Sequence, residues 1–277
     1  MFMTEKKLAG YMLVTDMDGT LLDSGKQISG ENRAAIERFV AQGGLFTLAT
    51  GRIASSVQRY ADTLPLCAPA IVYNGAIIYD FAQGKPIWQR TLDKEQAIPA
   101  LKRLMERFPE LGVEIYSGEE PYFLKENGMT DHHRRMEHFT RPLTPNIEEL
   151  TEPWFKVLTA WEPARLDEVQ NYVMEHEAHL TWVRSDDKYL EILPDGATKG
   201  HALEHLMELT GIERDKCIAM GDHLNDLEMI KRAGIGIAVA NAHELLLEAS
   251  NRTCCHHNEH ALADVIGWLE READQGK

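Results

Sequence analysis

The chain has few cysteines, and it contains no long uninterrupted apolar segment. Its four cysteines, Cys67, Cys217, Cys254 and Cys255, do not show the spacing of a zinc site or a disulfide framework. No apolar stretch approaches the ~18 residues that a membrane-spanning helix requires, and the first residues lack the apolar region of a secretory signal. We therefore expect a reduced, cytoplasmic protein without a membrane span.

Positive charge is also scarce, with 29 Lys and Arg residues against 44 Asp and Glu residues and a formal net charge of −15. Nucleic acids require a basic protein face, and anionic membranes attract basic segments, so this balance argues against both partners. An acidic protein can still bind a small anion if a metal ion and a few cations line its site. We expect a small-molecule substrate, and no heptad pattern indicates an oligomeric state.

Short apolar runs alternate with amphipathic helical patterns at both ends of the chain. This alternation predicts an α/β fold with a parallel sheet, in which functional groups lie at the carboxyl ends of the strands. A helix capped by Asn241, with Glu244 at its third position, is also expected. The runs that predict buried strands are Tyr11–Val14, Leu45–Ala49, Ala70–Tyr73, Cys217–Met220 and Ile235–Val239.

The segment Asp16-Met17-Asp18-Gly19-Thr20 follows the first predicted strand. Two carboxylates so close together repel each other, so a fold that keeps both needs a neutralising partner. A hard dication such as Mg²⁺ is the obvious partner. One Asp can then act as a nucleophile and the other as an acid and base, which is the chemistry of phosphoryl transfer.

The expected catalytic roles fall to four residues. Asp16 attacks phosphorus, and Asp18 protonates the leaving oxygen and then activates water. Asp18 must therefore be protonated near neutral pH, which crowding by Asp16 is expected to arrange. Thr50 and Lys199 complete the set by binding phosphoryl oxygens, where charge develops.

The expected ligand contacts come from clusters that end strands or begin helices. Mg²⁺ is expected to bind Asp16, the main-chain carbonyl of Asp18, and Asp222. Met17, the Gly51 amide and Asn225 join Thr50 and Lys199 around the phosphoryl group, and Asn225 orients either that group or a metal-bound water. Candidates for substrate contact or a supporting role are Arg52, Asn74, Asp226 and, in the middle of the chain, Arg184.

These motifs in this order resemble the haloacid dehalogenase (HAD) superfamily, most closely the Cof-type phosphatases of subclass IIB. The matching segments are Asp16–Leu22, Thr50-Gly51-Arg52, Asn74-Gly75-Ala76, Leu190-Glu191-Ile192 with Lys199-Gly200, and Met220–Asp226. The resemblance implies a Rossmann-like core of residues 1–81 and 188–277, with an inserted α/β cap of the C2 type at 82–187. It also implies Mg²⁺-dependent hydrolysis of small phosphomonoesters through an aspartyl-phosphate, with sugar phosphates favoured and phosphorylated cofactors next.

Several alternatives stay open at this stage. A phosphomutase of the same superfamily would share the nucleophile but retain the phosphate, and a catalytically silent sensor of phosphorylated ligands would need no acid. The segment from His201 to His205 matches the inverted zinc-protease pattern His-x-x-Glu-His. Cys254 and Cys255 could hold an adventitious metal, although adjacent residues of a strand point to opposite faces.

Overall fold

The computed structural model describes residues 6–118, 120–144 and 146–275. The strands are β1 Met12–Thr15, β2 Leu45–Leu48, β3 Ala70–Val72, β4 Ile77–Asp80, β5 Lys85–Gln89, β6 Gly112–Ser117, β7 Glu120–Lys125, β8 Lys156–Ala160, β9 Thr181–Asp186, β10 Tyr189–Leu193, β11 Cys217–Gly221, β12 Ile235–Ala238 and β13 Arg252–Thr253. The helices are α1 Gly30–Ala41, α2 Ala54–Ala61, α3 Lys94–Arg107, α4 Gly128–Glu137, α5 Pro163–His176, α6 Lys199–Thr210, α7 Leu227–Arg232, α8 Glu244–Ala249 and α9 Ala261–Asp274.

The chain divides into two compact units that differ in extent from the predicted core and insertion. The first comprises Met1–Arg52, Val57–Trp88 and Thr198–Lys277, and the second comprises Ile53–Ser56 and Gln89–Ala197. The expected insertion ended at residue 187, but β10 pairs with β8 and β9. The second unit therefore continues to Ala197, because the apolar side chains of β10 pack in its own core.

The first unit is built around a five-stranded sheet in the order β13-β12-β11-β1-β2, in which neighbouring strands are parallel. Met12, Leu13 and Val14 of β1, which lies between β11 and β2, are completely buried. A strand covered on both faces requires such a continuous apolar run, which explains why these strands were predictable. Among the described helices, none has both the length and the apolar composition needed to cross a membrane.

Helix α6 brings a lysine to the carboxyl edge of this sheet. Its N-cap is Thr198, whose hydroxyl accepts a hydrogen bond from the His201 amide at 3.3 Å. Ala202, Leu203 and Leu206 are buried in the same core cluster as β1. Burial of one such leucine contributes about 1.5–3 kcal/mol, so this face fixes the helix and places Lys199 in its first turn.

The second unit is an antiparallel sheet in the order β7-β6-β8-β10-β9. One face packs an apolar cluster with α3 and α5, and the other buries polar side chains, including Glu114 and Lys156. Helix α4 carries His133, whose Nδ1 lies 3.0 Å from Glu114 Oε2. The sequence pattern did not reveal α4, because this helix has no apolar stripe. Its start is instead defined by a capping box of Asn127 and Thr130.

The predicted cap of α8 is wrong. The helix begins at Glu244, and its N-cap is His243, whose side chain accepts a hydrogen bond from the Leu245 amide at 3.2 Å. Asn241 instead donates its side-chain amide to the Gly19 carbonyl oxygen at 2.8 Å. Asn241 therefore supports the loop that follows β1.

Candidate active site

Four separate segments of the first unit meet at the carboxyl edge of its parallel sheet. Asp16 directly follows β1, Asp222 directly follows β11, and Thr50 follows β2 by two residues. Carboxyl ends of parallel strands lie at one edge, so these side chains converge. Lys199, from the start of α6, reaches the same point and contacts Asp16.

Lys199 is the buried cation of the site. Its Nζ donates hydrogen bonds to Asp16 Oδ1 and to Asp226 Oδ1, each at 2.7 Å. Asp226 Oδ2 accepts the backbone amides of Asp222 at 3.1 Å and His223 at 3.2 Å. Both carboxylate oxygens of Asp226 are thus engaged by the protein, which makes this residue a support for Lys199 rather than a substrate contact.

Three carboxylates surround this lysine. Ligand oxygens of Asp16, Asp222 and Asp226 all lie within 4.8 Å of one another. Burial raises the pKa of Asp16 to about 7. Burial, with the nearby charge of Asp16, raises the pKa of Asp222 to about 9. The cluster therefore holds protons near neutral pH, and it exceeds the charge of Lys199 only when Asp16 and Asp222 ionise.

The composition of this cluster fits a hard divalent cation. Carboxylate oxygens are the ligands that Mg²⁺ prefers. Once their protons are displaced, three carboxylates and one ammonium leave two negative charges, which one divalent cation would balance. In addition, Asn225 Oδ1 is buried and has no hydrogen-bond partner within the described residues. Asp16 and Asp222 are the carboxylates with room for the ion, since both oxygens of Asp226 are engaged.

The ionisation state of Asp18 differs from the predicted one. Arg52 donates to Asp18 through Nε at 2.7 Å and through a terminal guanidinium nitrogen at 2.9 Å, and Lys26 Nζ donates at 2.7 Å. Burial alone would raise the pKa of Asp18, but the hydrogen bonds and charges of these two cations hold it well below its usual range. The prediction of a protonated Asp18 is wrong for this arrangement, because Arg52 and Lys26 stabilise its ionised form, and it is the pKa of Asp16 that burial raises.

The sequence did not indicate Lys26, because nothing in its spacing marks it. It lies in a turn in which the Asp23 side chain accepts the backbone amides of Gly25 at 2.8 Å and Gln27 at 2.9 Å. Lys26 itself has a φ of 58°, which is uncommon for a residue with a long side chain. Its position in a turn shortly after the Asp16–Thr20 segment was the feature that could have pointed to Lys26.

The remaining predicted phosphate-binding residues lie around the same edge. The Thr50 hydroxyl accepts a hydrogen bond from the Arg52 amide at 3.1 Å. A Cβ added at Gly51 would lie 2.9 Å from Asn74 Nδ2, so the chain passes close to Asn74 there. Asn225 Nδ2 donates to Asn74 Oδ1 at 2.9 Å. The Met17 side chain is buried in the core, so any contact of Met17 with a ligand is through its main chain.

Arg184 does not occupy an exposed binding position. It donates to Asp167 Oδ1 at 3.1 Å and to Gln170 Oε1 at 3.0 Å, and also to the main-chain oxygens of Asp186 and Asp187. These partners tie β9 to α5 within the second unit. Of the two roles predicted for Arg184, substrate contact or support, these contacts favour the supporting one.

The histidines of the zinc-protease pattern are engaged in local contacts. His201 Nδ1 lies 3.0 Å from Thr198 Oγ1, and its Nε2 lies 3.1 Å from an Arg232 nitrogen. The His205 ring packs on Trp88 with a centroid distance of 4.9 Å. Cys255 Sγ donates to the Glu259 carbonyl at 3.1 Å. These contacts lend no support to a zinc site at either pair.

Comparisons with known proteins agree with this architecture. A sequence profile of haloacid dehalogenase-like hydrolases matches residues 13–266. The 5-amino-6-(5-phospho-D-ribitylamino)uracil phosphatase YwtE of Bacillus subtilis is 31% identical over 283 residues, which cover 93% of this chain and 97% of YwtE. A haloacid dehalogenase-like hydrolase from Bacteroides thetaiotaomicron superposes with a TM-score of 0.80 at 28% identity, covering 94% and 99% of the two chains.

The fold is also shared with the subclass IIB sugar phosphatase BT4131. The TM-score is 0.80 at 18% identity, and the likeness covers 94% of this chain and 99% of BT4131. Together these matches confirm the predicted α/β fold class and the resemblance to Cof-type members.

Proposed function

The chain belongs to the haloacid dehalogenase-like hydrolases, and on that premise we propose that it is a Mg²⁺-dependent phosphatase of small phosphomonoesters. The observation that supports this most is the buried cluster of Asp16, Asp222 and Asp226 around Lys199 at the sheet edge. A buried group of like charges, neutralised only in part, suits a site that receives both a cation and a phosphoryl group.

Mg²⁺ is proposed to bind Asp16, the Asp18 carbonyl and Asp222. When bound, the ion supplies positive charge that neutralises the carboxylates and stabilises phosphoryl oxygens. Lys199 remains against Asp16 and Asp226, which holds its ammonium group at the edge where those oxygens arrive. The Thr50 hydroxyl and the Gly51 amide are proposed to bind the same oxygens.

In the first step, an Asp16 oxygen attacks phosphorus while the bond from phosphorus to the ester oxygen breaks. Asp18 gives a proton to that leaving oxygen, so an alcohol departs and Asp16 carries the phosphoryl group. Asp18 is first paired with Arg52 and Lys26. The anionic phosphoryl group competes for these cations. Asp18 is then free to take up from solvent the proton that it gives to the leaving oxygen.

In the second step, Asp18 accepts a proton from water, and the resulting nucleophile attacks the phosphorus of the aspartyl-phosphate. The bond from Asp16 to phosphorus breaks, inorganic phosphate leaves, Asp16 is free again, and Asp18 keeps the proton for the next ester or returns it to solvent. Asp18 thus acts as the acid in one step and the base in the next.

We propose sugar phosphates as the first substrate class and phosphorylated cofactors as the second. YwtE is named for a phosphorylated ribityl compound, whose phosphate is carried on a sugar-like chain, so this compound belongs among the candidates. We propose that the second unit, Ile53–Ser56 and Gln89–Ala197, is the substrate-selecting cap that the family resemblance implies.

The test is phosphate release from a panel of sugar phosphates, nucleotides, phosphorylated cofactors and the ribityl compound, with Mg²⁺ or with EDTA. We expect Mg²⁺-dependent release that Asp16→Asn abolishes in a folded protein. Asp215→Asn, at an exposed aspartate of the same unit, is the matched control and should retain activity. Metal-independent release, or full activity of Asp16→Asn, would contradict the proposal, and conversion without release would indicate a phosphomutase.

A further inference from the structure

The turn between β3 and β4, Tyr73–Gly75, has an unusual backbone. Its φ values are 53°, 55° and 105° at three successive residues. Glycine adopts this left-handed region freely and asparagine tolerates it, but tyrosine rarely does. Tyr73 and Asn74 are also buried, with 4% and 1% of their surface exposed. A surface hairpin needs neither feature, so the surroundings must hold this conformation.

The turn contacts three segments of the candidate site. The Tyr73 amide donates to the Arg52 carbonyl and the Asn74 amide donates to the Thr50 carbonyl, each at 3.0 Å. A Cβ added at Gly75 would lie 2.3 Å from the Thr198 carbonyl oxygen, so the turn passes against the residue that precedes Lys199. The side chain of Asn74 provides the third contact, to Asn225.

This third contact sets the orientation of the Asn225 carboxamide. Its Nδ2 donates to Asn74 Oδ1 at 2.9 Å. Its Oδ1 is buried and finds no hydrogen-bond donor in the part of the chain that the structure describes. A buried acceptor without a donor is unfavourable, so a donor from outside the protein is called for. A hydrated cation brings O–H donors, whereas phosphoryl oxygens are themselves acceptors.

We propose that Asn74 is a positioning residue that holds Asn225 Oδ1 ready to accept a hydrogen bond from the hydration shell of a divalent cation at Asp222. The proposal rests on the proposed Mg²⁺-dependent function and goes beyond it, because it assigns the water contact to Asn225 Oδ1 and a positioning role to Asn74, while the second N–H of Asn225 stays available to the phosphoryl group. Asn74 touches neither the cation nor the substrate and acts through Asn225. Loss of such an outer partner typically lowers metal affinity by about 10–100-fold.

The test uses Asn74→Gly, which removes the carboxamide, while glycine keeps the left-handed backbone of the turn. Calorimetry with metal-free protein gives the Mg²⁺ dissociation constant, independently of activity, and circular dichroism checks the fold. We expect Asn74→Gly and Asn225→Ala each to weaken Mg²⁺ binding by about tenfold or more. The double variant should bind no more weakly than Asn225→Ala alone, because the two amides act as one unit.

Asn74→Asp is the conservative variant, since aspartate tolerates the same backbone and keeps an acceptor for Asn225 Nδ2. It should bind Mg²⁺ within a few-fold of the wild type, and it decides the question if Asn74→Gly does not fold. Wild-type affinity in Asn74→Gly, a tenfold loss in Asn74→Asp, or a double variant whose loss is the product of the single losses would overturn the proposal. If the wild type binds Mg²⁺ but hydrolyses no ester, the phosphatase function is contradicted and the proposed role of Asn74 is not.

Discussion

Replacement of Lys199 by Met tests the electrostatics of the buried cluster. Lys199 Nζ lies 2.7 Å from both Asp16 and Asp226, and the three side chains are between 0% and 8% exposed. Removing one partner of a buried ion pair costs about 3–5 kcal/mol, because the remaining charge is left uncompensated. We expect the free energy of unfolding to fall by this amount in metal-free buffer near pH 8. The melting temperature should fall by roughly 6–20 °C.

The size of the effect should depend on pH. The folded state binds protons at Asp16 and Asp222 more tightly than the unfolded state, because their pKa values are raised to about 7 and about 9. Their contribution to stability is therefore fully present below about pH 4 and is lost as pH rises through those values. Lys199 offsets this loss when the carboxylates ionise. The difference between wild type and Lys199→Met should be smaller at pH 5 than at pH 8.

Urea unfolding in EDTA at both pH values measures this difference. Lys26→Met is the matched control, because it removes a lysine 2.7 Å from Asp18 at a site where the two side chains are 43% and 37% exposed. That pair should contribute less than about 1 kcal/mol. A loss in Lys26→Met as large as that in Lys199→Met, or a Lys199→Met loss equal at both pH values, would refute the reasoning.

Three further predictions follow from other parts of the structure. Mg²⁺ binding should strengthen by roughly 50-fold between pH 6 and 7, because the ion displaces protons from Asp16 and Asp222, whose pKa values are raised to about 7 and about 9; a dissociation constant that is the same at pH 6 and pH 8 by calorimetry would contradict this. Arg184→Ala should lower stability but leave kcat/KM on the best substrate within about threefold; a larger loss of activity in a stable variant would restore the substrate role. Gly19→Ala should weaken Mg²⁺ binding, because its Cβ would lie 2.4 Å from Asp222 Oδ2 at a φ of +78°; unchanged affinity would show that Asp222 can move.

The parallel sheet could be predicted from the sequence, whereas parts of the second unit could not. Strands such as Met12–Thr15 are buried on both faces and read as continuous apolar runs. Helix α4 has no such stripe, since Glu114 and His133 form a polar contact beneath it. The boundary between the two units was placed at residue 187, before β10, although β10 belongs to the second unit. The apolar sequence of β10 suits a strand of either sheet, and only its pairing with β8 and β9 shows which sheet it joins.

The positions of the site residues were predictable, but their electrostatic partners were not. Parallel topology alone brings Asp16, Thr50 and Asp222 to one edge. Which carboxylate stays ionised depends instead on side-chain geometry. Arg52 and Lys26 reach Asp18 from 34 and 8 residues away, and no spacing rule shows that both do so.

The most direct test of the account is acid-quenched mass spectrometry of the protein during turnover of its best phosphomonoester with Mg²⁺. Aspartyl-phosphates survive mild acid, so the phosphorylated residue can be located by peptide fragmentation. The account predicts one phosphoryl group on Asp16 that forms before phosphate is released and decays as release proceeds. Phosphoryl transfer to another residue, or steady phosphate release with Asp16 unmodified throughout, would contradict it.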